Sequence, residues 1–244
     1  MKKKKALITG SSRGMGHALA VALGSSGYEI IIHFVSNRKR ADETKEEIEK
    51  AGGAATVLQA DLENIDETRR LAEQMGEIDV LILNASLQIK NIWENISPEE
   101  CRRQLTCNFV SSLILIQAAV PYMKMKNWGR IITIGSVQEV KPHPEMLIYS
   151  ASKSAQTNMV RSLALQLAEY GITVNNVAPG VLNTDRNVEA LSDRVYAQKV
   201  CDSIPVGFYG TPEECVGIVS LLCSDQGRYI TGQSIFVDGG KSVK

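Results

Sequence analysis

The amino-acid sequence predicts an α/β fold: a doubly wound parallel sheet of seven strands with helices on both faces. Short apolar runs alternate with longer helical patterns along the chain, and glycines follow several of the helical segments. The runs EIIIHF at 29–34 and RIITIG at 130–135 are nearly continuous in Ile. Runs of this kind are typical of parallel strands that are buried on both faces.

The individual elements follow from these patterns. Predicted strands cover residues 6–9, 29–34, 56–60, 80–83, 130–134, 173–178 and 234–237. Predicted helices cover residues 14–26, 40–51, 65–75, 98–126, 149–170 and 211–222. Gly27 and Gly171 follow two of the helices, and Ser97 and Thr211 precede prolines at positions that suit N-caps. The stretch 182–210 has no clear periodicity, which predicts a substrate lid at about these residues.

Length and composition bound the kind of protein. With 244 residues, 44% hydrophobic and 22% charged, the chain can bury one ordinary core, so we expect a single domain over 1–244. The 27 basic and 27 acidic side chains cancel, which predicts no attraction to nucleic acid or to an acidic membrane. The lysine run at 2–5 precedes only three apolar residues, too few for a signal peptide or a membrane span. The five cysteines lack metal-ligand spacing and indicate reduced thiols in a cytoplasmic protein without a metal site.

A glycine-rich turn, TGSSRGMG at 9–16, follows the first predicted strand and opens the first helix. Gly10, Gly14 and Gly16 would allow a tight turn, close approach of the backbone to a pyrophosphate, and close packing of the helix on the strand. The helix N-terminus would attract the phosphates. The spacing is GxxxGxG rather than GxGxxG, but the context predicts a dinucleotide-binding domain.

Tyr149 and Lys153 are four residues apart in YSASK, so on a helix they share one face. An ammonium next to a phenol favours the phenolate, which makes the tyrosine useful as a general acid or base. The alternative is a surface tyrosine and lysine on an amphipathic helix. Ser136, at the end of a predicted strand, and the glycine turn favour the catalytic interpretation.

Taken in order and spacing, the motifs of this chain resemble those of the short-chain dehydrogenase/reductases, particularly those similar to bacterial 3-oxoacyl-acyl-carrier-protein reductases. The motifs are TGSSRGMG, Asp61-Leu62, Asn84-Ala85, Asn108, Ser136, YSASK, NVAPG at 176–180 and TGQSIFVDGG at 231–240. The resemblance covers essentially the whole chain. It implies a Rossmann-type fold, an oxidoreductase activity, and a homotetramer built through the paired long helices and through the last strand.

The resemblance also implies catalytic roles. Tyr149 would give or take the proton on the substrate oxygen, and Ser136 would orient that oxygen. Lys153 would hold the nicotinamide ribose and keep Tyr149 acidic. Asn108 would support a water chain that carries the proton to solvent, although a capped or solvated helix asparagine is the simpler alternative.

The cofactor contacts are implied in the same way. Asp61 would accept from the adenine amino group, and Asn84 would border the adenosine ribose, although either residue could instead support a turn or a strand end. The nicotinamide would be flanked by Pro179, Gly180, Val181 and Thr184, whose alternative is an ordinary loop. The other implied contacts, besides Tyr149 and Lys153, are Gly10, Ser12, Arg13, Gly14, Met15, Gly16, Leu62, Ala85 and Ser86.

The choice of cofactor depends on the end of the second strand. NAD-selective members of the family resemble one another in placing an acidic residue there, and this chain has Phe34 at that position. Ser36, Asn37 and Arg38 follow, and Arg13 lies in the glycine turn, so a 2′-phosphate would meet two guanidiniums. We therefore predict NADP(H).

Two departures from the family pattern qualify the resemblance, and one histidine has an open role. Ser86 replaces the glycine of the usual NNAG motif, which puts the cofactor geometry in question. The basic residues that dock an acyl carrier protein fall at Asn127 and Tyr170 here. This weakens carrier binding as a hypothesis without excluding it, because Lys124, Lys126 and Arg130 are close by in the sequence. His33 could add to the phosphate pocket or could be an edge histidine without that role.

The substrate is less constrained than the cofactor. The expected pocket wall at 137–147 and the lid contribute Gln138, Glu139, His143, Glu145, Asp185 and Arg186. These side chains suit a polar substrate, but exposure to solvent explains them equally well. We predict an oxidoreductase for a small-molecule carbonyl/alcohol pair. The alternatives are a 3-oxoacyl-acyl-carrier-protein reductase and a non-catalytic NADPH sensor, which would not need a proton donor.

Overall fold

A computed structural model describes residues 3–244, so Lys2 of the predicted lysine run lies outside the described residues. The strands are β1 (Lys5–Ile8), β2 (Glu29–Phe34), β3 (Ala54–Gln59), β4 (Val80–Leu83), β5 (Gly129–Ile134), β6 (Ile172–Pro179) and β7 (Ser234–Val237). The α-helices are α1 (Gly14–Ser25), α2 (Arg38–Lys50), α3 (Ile65–Met75), α4 (Pro98–Leu105), α5 (Ser111–Lys126), α6 (Leu147–Leu167), α7 (Val188–Ser192), α8 (Arg194–Asp202) and α9 (Val216–Cys223).

All neighbouring strands are parallel, in the order β3-β2-β1-β4-β5-β6-β7. Ala6 on β1 pairs with Ile30 on β2 and with Val80 on β4. The strand order therefore reverses between β1 and β4, and at such a point a crevice opens beyond the carboxyl ends of the strands. The predicted doubly wound sheet of seven strands is confirmed.

Successive strand residues face two separate cores, as the alternation of side chains along a strand requires. Ile8 and Ile32 lie in a hydrophobic cluster with residues of α1, α2 and α9. Leu7 and Ile31 lie in a second cluster with residues of α3, α5 and α6. Burial on both faces explains why the strand sequences are apolar at nearly every position.

Several boundaries differ from the predicted ones for local reasons. The predicted helix at 98–126 is divided by a π-helical turn at Thr106–Val110, which separates α4 from α5. Helix α2 begins at Arg38 rather than residue 40, because the Asn37 side chain accepts the backbone N–H of Arg40 and caps the helix. The segment 182–210 contains α7 and α8, and Asp193 caps α8. Residues 212–215 form a 3₁₀ turn before α9.

The run Pro98–Lys126 is long and apolar enough to cross a membrane, a test that buried helices of globular proteins also pass. In this fold α5 lies on α3 and buries Leu115, Ala119 and Met123. We therefore interpret the run as a core element.

Candidate active site

The glycine turn lies at the crevice between β1 and β4. Gly10 has a φ of 65° and Gly14 a φ of 55°, in the left-handed region that favours glycine. A Cβ on Gly16 would lie 2.4 Å from the Gly10 carbonyl oxygen. Arg13 occupies the N-cap of α1 without a side-chain hydrogen bond to the helix, so the first N–H groups of α1 have no side-chain cap. The turn therefore fits the phosphates of a dinucleotide.

Thr9 and Asn84 brace this turn from the end of β4. The Asn84 amide nitrogen donates to the carbonyl oxygens of Thr9 (2.8 Å) and Gly10 (3.1 Å). The Thr9 hydroxyl oxygen accepts the backbone N–H groups of Asn84 and Ala85, both at 2.9 Å. Asn84 therefore supports the end of β4, as the alternative in the sequence analysis had it. Its predicted contact with the adenosine ribose stays a prediction. Thr9 was part of the predicted glycine-rich motif, but its bracing role was not predicted.

His33 is fully buried beneath the same turn. Its Nδ1 accepts the backbone N–H of Gly10 at 2.9 Å, and its Nε2 lies 3.0 Å from the carbonyl oxygen of Ala60. Since a backbone N–H can only donate and a carbonyl can only accept, the ring is neutral with its proton on Nε2. Burial lowers the pKa of His33 to about 4, against smaller raising effects of Ala60 and Asp61. Both ring nitrogens are used inside the protein, so His33 supports the turn rather than a phosphate pocket.

The predicted 2′-phosphate contacts fall into two groups. The last residue of β2 is Phe34, which is buried in the core, so this position has no carboxylate. Ser36, two residues further on, is exposed. Arg38 donates from Nε to both carboxylate oxygens of Asp42 at 2.9 Å. Within residues 3–244, by contrast, Arg13 has no acidic partner inside 4 Å. The two guanidiniums are therefore not equally available to a phosphate.

Asp61 and Leu62, which are predicted to lie near the adenine, follow β3 after Ala60. The Asp61 carboxylate accepts the backbone N–H of Glu63 at 2.9 Å, and its own N–H donates to Glu67 at 2.7 Å. Leu62 is buried, whereas Asp61 is only partly so. Asp61 is held in a turn with one face accessible. Ser12 and Met15, in the glycine turn, are also partly exposed.

Lys153 on α6 is 1% exposed and lies 5.6 Å from the centre of the Tyr149 ring. Its Nζ donates to the Ile134 carbonyl oxygen at 2.7 Å and to Gln156 Oε1 at 3.0 Å. An ammonium has three donors, so one remains for a ligand. Burial lowers the pKa of Lys153 from its usual range, Tyr149 opposes this effect, and Arg186 adds to it. The structure thus brings the predicted pair together at the carboxyl end of β5.

Asn108 lies in the π-helical turn and is fully buried. Its amide nitrogen donates to the Leu87 carbonyl oxygen and to the Ser152 hydroxyl, both at 2.9 Å, and its Oδ1 accepts the Leu87 N–H at 2.8 Å. The Ser152 hydroxyl in turn donates to the Tyr149 carbonyl oxygen at 2.7 Å. Asn108 is therefore neither solvated nor a cap. It joins the loop after β4 to the helix that carries Tyr149, and π-helical turns are frequent at functional sites.

A second chain of hydrogen bonds leads from Lys153 to the same turn. Gln156 donates from Nε2 to the Ser112 hydroxyl at 3.2 Å, and Ser112 donates to the Asn108 carbonyl oxygen at 3.0 Å. The sequence interpretation missed Ser112, Ser152 and Gln156. Ser152 and Gln156 follow Tyr149 and Lys153 by three residues each, and this placement of polar side chains on one helix face was the available signal.

Ser136 follows β5 in extended conformation. Its hydroxyl oxygen accepts the backbone N–H of Gln138 at 3.2 Å, and its own N–H donates to Glu139 Oε1 at 3.0 Å. The hydroxyl proton is left available for a substrate oxygen. Gln138 also accepts the His143 N–H at 2.6 Å, so the polar wall residues are partly used in internal contacts.

The start of the 182–210 segment crosses the crevice. Arg186 donates from Nη2 to the Ser86 carbonyl oxygen at 2.9 Å and to its hydroxyl at 3.1 Å. Asp185 pairs with Arg40 on α2. The segment therefore touches both α2 and the end of β4. Ser86, which departs from the NNAG pattern, therefore has a partner of its own in Arg186.

The predicted nicotinamide contacts lie at the end of β6. A Cβ on Gly180 would lie 2.7 Å from the Asp238 Cα, so only glycine fits there. Thr184 lies 3.8 Å from the position of a Cβ on Gly14, which places it next to the glycine turn. Val181, directly after Pro179 and Gly180, borders a cavity of about 220 Å³ between β7 and residues 204–210.

Comparisons with known proteins agree with this geometry. Residues 4–195 match the family of short chain dehydrogenases. The 3beta-hydroxysteroid dehydrogenase 1 of Eggerthella lenta is 34% identical over 100% of this chain and 95% of its own length. The 3-oxoacyl-[acyl-carrier-protein] reductase FabG of Staphylococcus aureus is 34% identical over 97% of both chains.

Among solved structures, a 3-oxoacyl (acyl-carrier-protein) reductase from Agrobacterium tumefaciens, crystallised with NADP bound, superposes with a TM-score of 0.93. It is 33% identical, over 97% of this chain and 93% of that chain. The predicted cofactor agrees with what this neighbour carries, and the predicted fold and oxidoreductase class are confirmed. The chain belongs to the short-chain dehydrogenase/reductase family.

Proposed function

We propose that this chain interconverts a carbonyl and an alcohol on a small molecule, using NADP(H), with Tyr149 as general acid and base. The observation that carries the proposal is the buried Lys153 ammonium, which lies 5.6 Å from the Tyr149 ring centre and retains one free donor. A bound nicotinamide would supply or accept the hydride. The crevice residues that would hold the cofactor are those of the glycine turn, the ends of β2 to β4, and the end of β6.

The residues of the chain divide the remaining work. In the reductive direction, the Tyr149 hydroxyl would give its proton to the substrate oxygen, while the Ser136 hydroxyl donates to the same oxygen. Lys153 would stabilise the resulting phenolate and bind the nicotinamide ribose with its free donor. Asn108, through Ser152 and through Ser112 and Gln156, holds α6 against the π-helical turn, the position from which a water chain would return the proton.

NADP(H) is favoured over NAD(H) by the charge at the end of β2. No carboxylate stands at Phe34 to repel a 2′-phosphate, and the Arg13 guanidinium is unpaired within the described part of the chain. Asn37 caps α2, so Arg13 and the Ser36 hydroxyl are the more available donors. A fluorescence titration should give a dissociation constant for NADPH at least about tenfold below that for NADH. This ratio corresponds to a difference in binding free energy of about 1.4 kcal/mol. Equal affinities would contradict this choice.

A 3-oxoacyl-acyl-carrier-protein reductase is the second candidate, because two of the similar proteins carry that activity in their names. One observation weakens it. The Lys124 amino group lies 4.0 Å from the Tyr170 ring centre and the Lys126 amino group lies 5.5 Å from the Tyr122 ring centre, so both lysines of this region are held against aromatic rings. A non-catalytic sensor is the third candidate, and the intact Ser136–Tyr149–Lys153 arrangement favours an enzyme.

A panel of ketones, sugars, steroids and acyl thioesters, assayed by NADPH consumption, separates these candidates. Turnover of a simple ketone or sugar supports the proposal, and turnover confined to acetoacetyl thioesters supports the second candidate. Binding of NADPH without turnover of any member would favour a sensor.

The wider assignments belong to the same proposal. We place the protein in the cytoplasm, as one domain over 1–244, with residues 182–210 covering the substrate. Exposed apolar side chains support a homotetramer: Leu165 on α6 is 86% exposed, and the edge strand β7 is only half-buried. Light scattering that returns the mass of one 26.7 kDa chain would contradict the tetramer.

A further inference from the structure

Glu139 forms a compact set of contacts that the sequence did not predict. Its Oε1 accepts the backbone N–H of Ser136 at 3.0 Å and the Asn176 amide at 2.9 Å, and its Oε2 accepts the Ser234 hydroxyl at 3.1 Å. The Asn176 amide also donates to the Ser234 hydroxyl at 2.8 Å. One carboxylate therefore ties the residue after β5 to β6 and to β7.

The backbone around this carboxylate is shaped to admit it. A Cβ on Gly135 would lie 1.9 Å from Glu139 Oε1, so a side chain there would expel the carboxylate. Asn176 is fully buried, and its Oδ1 accepts the Thr133 hydroxyl at 2.6 Å, which fixes the direction of its amide. Because a carboxylate has only acceptors, it suits the three donors that converge on it.

The position of Ser136 depends on these contacts. Its N–H is held by Glu139, and its hydroxyl oxygen accepts the Gln138 N–H, which leaves the hydroxyl proton free to point into the pocket. We propose that Glu139 is a positioning residue for the reaction: it fixes Ser136 for the substrate oxygen and supplies a negative charge beside the Tyr149–Lys153 pair. This inference rests on the proposed function, in which Ser136 donates to that oxygen.

The charge of Glu139 acts on the catalytic lysine. The ionisable groups that face Lys153 are Tyr149 on its own helix, Arg186 from the lid, Glu139, and Cys107 from the π-helical turn. Of these, Arg186 lowers the pKa of Lys153, and Glu139 raises it. Loss of the carboxylate charge would lower the pKa of Lys153 further. The ammonium would then be lost at a lower pH, and activity at alkaline pH would fall earlier.

Two variants separate charge from geometry. Glu139→Gln keeps an Oε1 acceptor for Ser136 and Asn176 but removes the charge, so the alkaline limb of kcat/KM should move down by about half a pH unit. Glu139→Ala removes the charge and all three hydrogen bonds, so kcat should fall about 100-fold, because small misplacements of reacting groups cost rates of that order. Glu169→Gln, an exposed carboxylate after α6, is the matched control and should leave both measurements unchanged.

The test is a pH profile of kcat and KM, with the NADPH dissociation constant and the melting temperature of each variant. An unmoved alkaline limb in folded Glu139→Gln, or kcat of folded Glu139→Ala within twofold of the parent, would overturn the inference. If Glu139→Ala does not fold, the Glu139→Gln profile decides alone. Ser136→Ala runs beside them: full turnover in that variant contradicts the proposed function itself, whereas impaired Ser136→Ala with normal Glu139 variants contradicts only the role of Glu139.

Discussion

The two ends of strand β5 each have a buried cation, and the protein uses the two cations differently. At the amino end, Arg130 is 2% exposed and donates to the carbonyl oxygens of Ser224 (3.1 Å), Gly129 (2.8 Å) and Gly171 (3.2 Å). Its guanidinium also lies 4.3 Å from the Trp128 ring centre. Most of its donors are used by backbone carbonyls, so Arg130 joins neighbouring chain segments and has little left for a ligand.

At the carboxyl end, Lys153 is equally buried but donates to only two protein oxygens, those of Ile134 and Gln156. Its neighbour is an ionisable phenol, Tyr149, whereas Arg130 has backbone carbonyls, an aromatic face and an ion pair with the exposed Asp225 at 3.7 Å. Burial lowers the pKa of both cations. The difference lies in the unused donor, and it separates a cation that holds the fold from one available for chemistry.

The largest expected effect breaks the chemistry and spares the fold. Tyr149→Phe removes the proposed proton donor, so turnover should fall by at least about 1,000-fold. The NADPH dissociation constant should stay within about twofold, because the Lys153 ammonium remains in place. Lys153→Ala should impair both turnover and NADPH binding. Turnover and fluorescence titration on each variant check this, with the almost fully exposed Tyr229→Phe as control.

Near-normal turnover of Tyr149→Phe on a genuine substrate would contradict the mechanism. A large loss of NADPH binding in that variant would show instead that the phenol contributes to the cofactor site.

The second largest effect should come from His33, a third buried ionisable side chain, which should make the stability of the fold depend on pH. At the carboxyl edge His33 is buried and neutral, with a pKa lowered to about 4 against an ordinary 6.5. Between these values the unfolded chain binds the proton more readily than the folded one, so stability falls as pH falls from about 6.5 to 4. The shift corresponds to a loss of about 3 kcal/mol. Urea unfolding at pH 7.5 and pH 4.5 measures it.

His33→Asn keeps an acceptor for the Gly10 N–H but has no group that titrates in this range, so its stability should depend less on pH. The exposed His143→Asn is the matched control and should keep the full dependence of the parent. An identical pH dependence in His33→Asn and the parent would contradict the assignment. Because the Gly10 N–H would lose its acceptor only when the ring is protonated in the folded protein, NADPH binding should weaken only as the pH approaches about 4.

The sequence predicted the fold well and the supporting contacts of the site poorly, for a physical reason. Burial on both faces forces continuous Ile and Val into the strands, and the glycine turn needs small residues at fixed places, so both leave patterns within one segment. His33 and Glu139 have partners on other strands or just after them, at separations of about 20 to 95 residues. No local pattern records which distant amide a side chain will meet.

The divided helix shows the same limit. The pattern of 98–126 is uniformly helical, and the π-helical turn at Thr106–Val110 was not predicted. The turn is accompanied by contacts of Asn108 with Leu87 and with Ser152, which lie 21 and 44 residues away. Asn108 could be placed in the site by family resemblance, but its hydrogen bonds could not be inferred from local sequence.

Replacing Arg130, at the amino end of β5, should have the opposite effect to replacing Tyr149: stability should fall and turnover should be kept. Arg130→Met keeps apolar volume but leaves the carbonyl oxygens of Ser224 and Gly171 without their donor, which should destabilise the fold by about 2 kcal/mol. The folded variant should keep kcat within about twofold, because the site lies at the other end of β5. Urea unfolding and turnover check this. Arg69→Met, an exposed arginine on α3, is the control. A large loss of kcat in folded Arg130→Met would break the comparison.

The smallest expected effect concerns two exposed arginines, Arg13 and Arg38. It tests whether unused hydrogen-bond donors also predict ligand binding for side chains on the surface. Arg13 has no acidic partner within the described residues, whereas Arg38 is held by both oxygens of Asp42. A 2′-phosphate would have to compete with Asp42 for Arg38 but meets Arg13 unpaired. Arg13→Ala should therefore reduce the preference for NADPH over NADH by about tenfold, or about 1.4 kcal/mol, and Arg38→Ala by about threefold or less. Titration of each variant with both cofactors measures the ratio of the NADPH and NADH dissociation constants directly.

Asp42→Ala should have the opposite effect. It frees Arg38, so it should raise NADPH affinity while leaving NADH affinity unchanged. Arg38→Ala could instead reduce the preference for NADPH more than Arg13→Ala does. That result would mean that the ion pair between Arg38 and Asp42 opens when the cofactor binds, so unused donors would not identify the ligand-binding residues among exposed side chains.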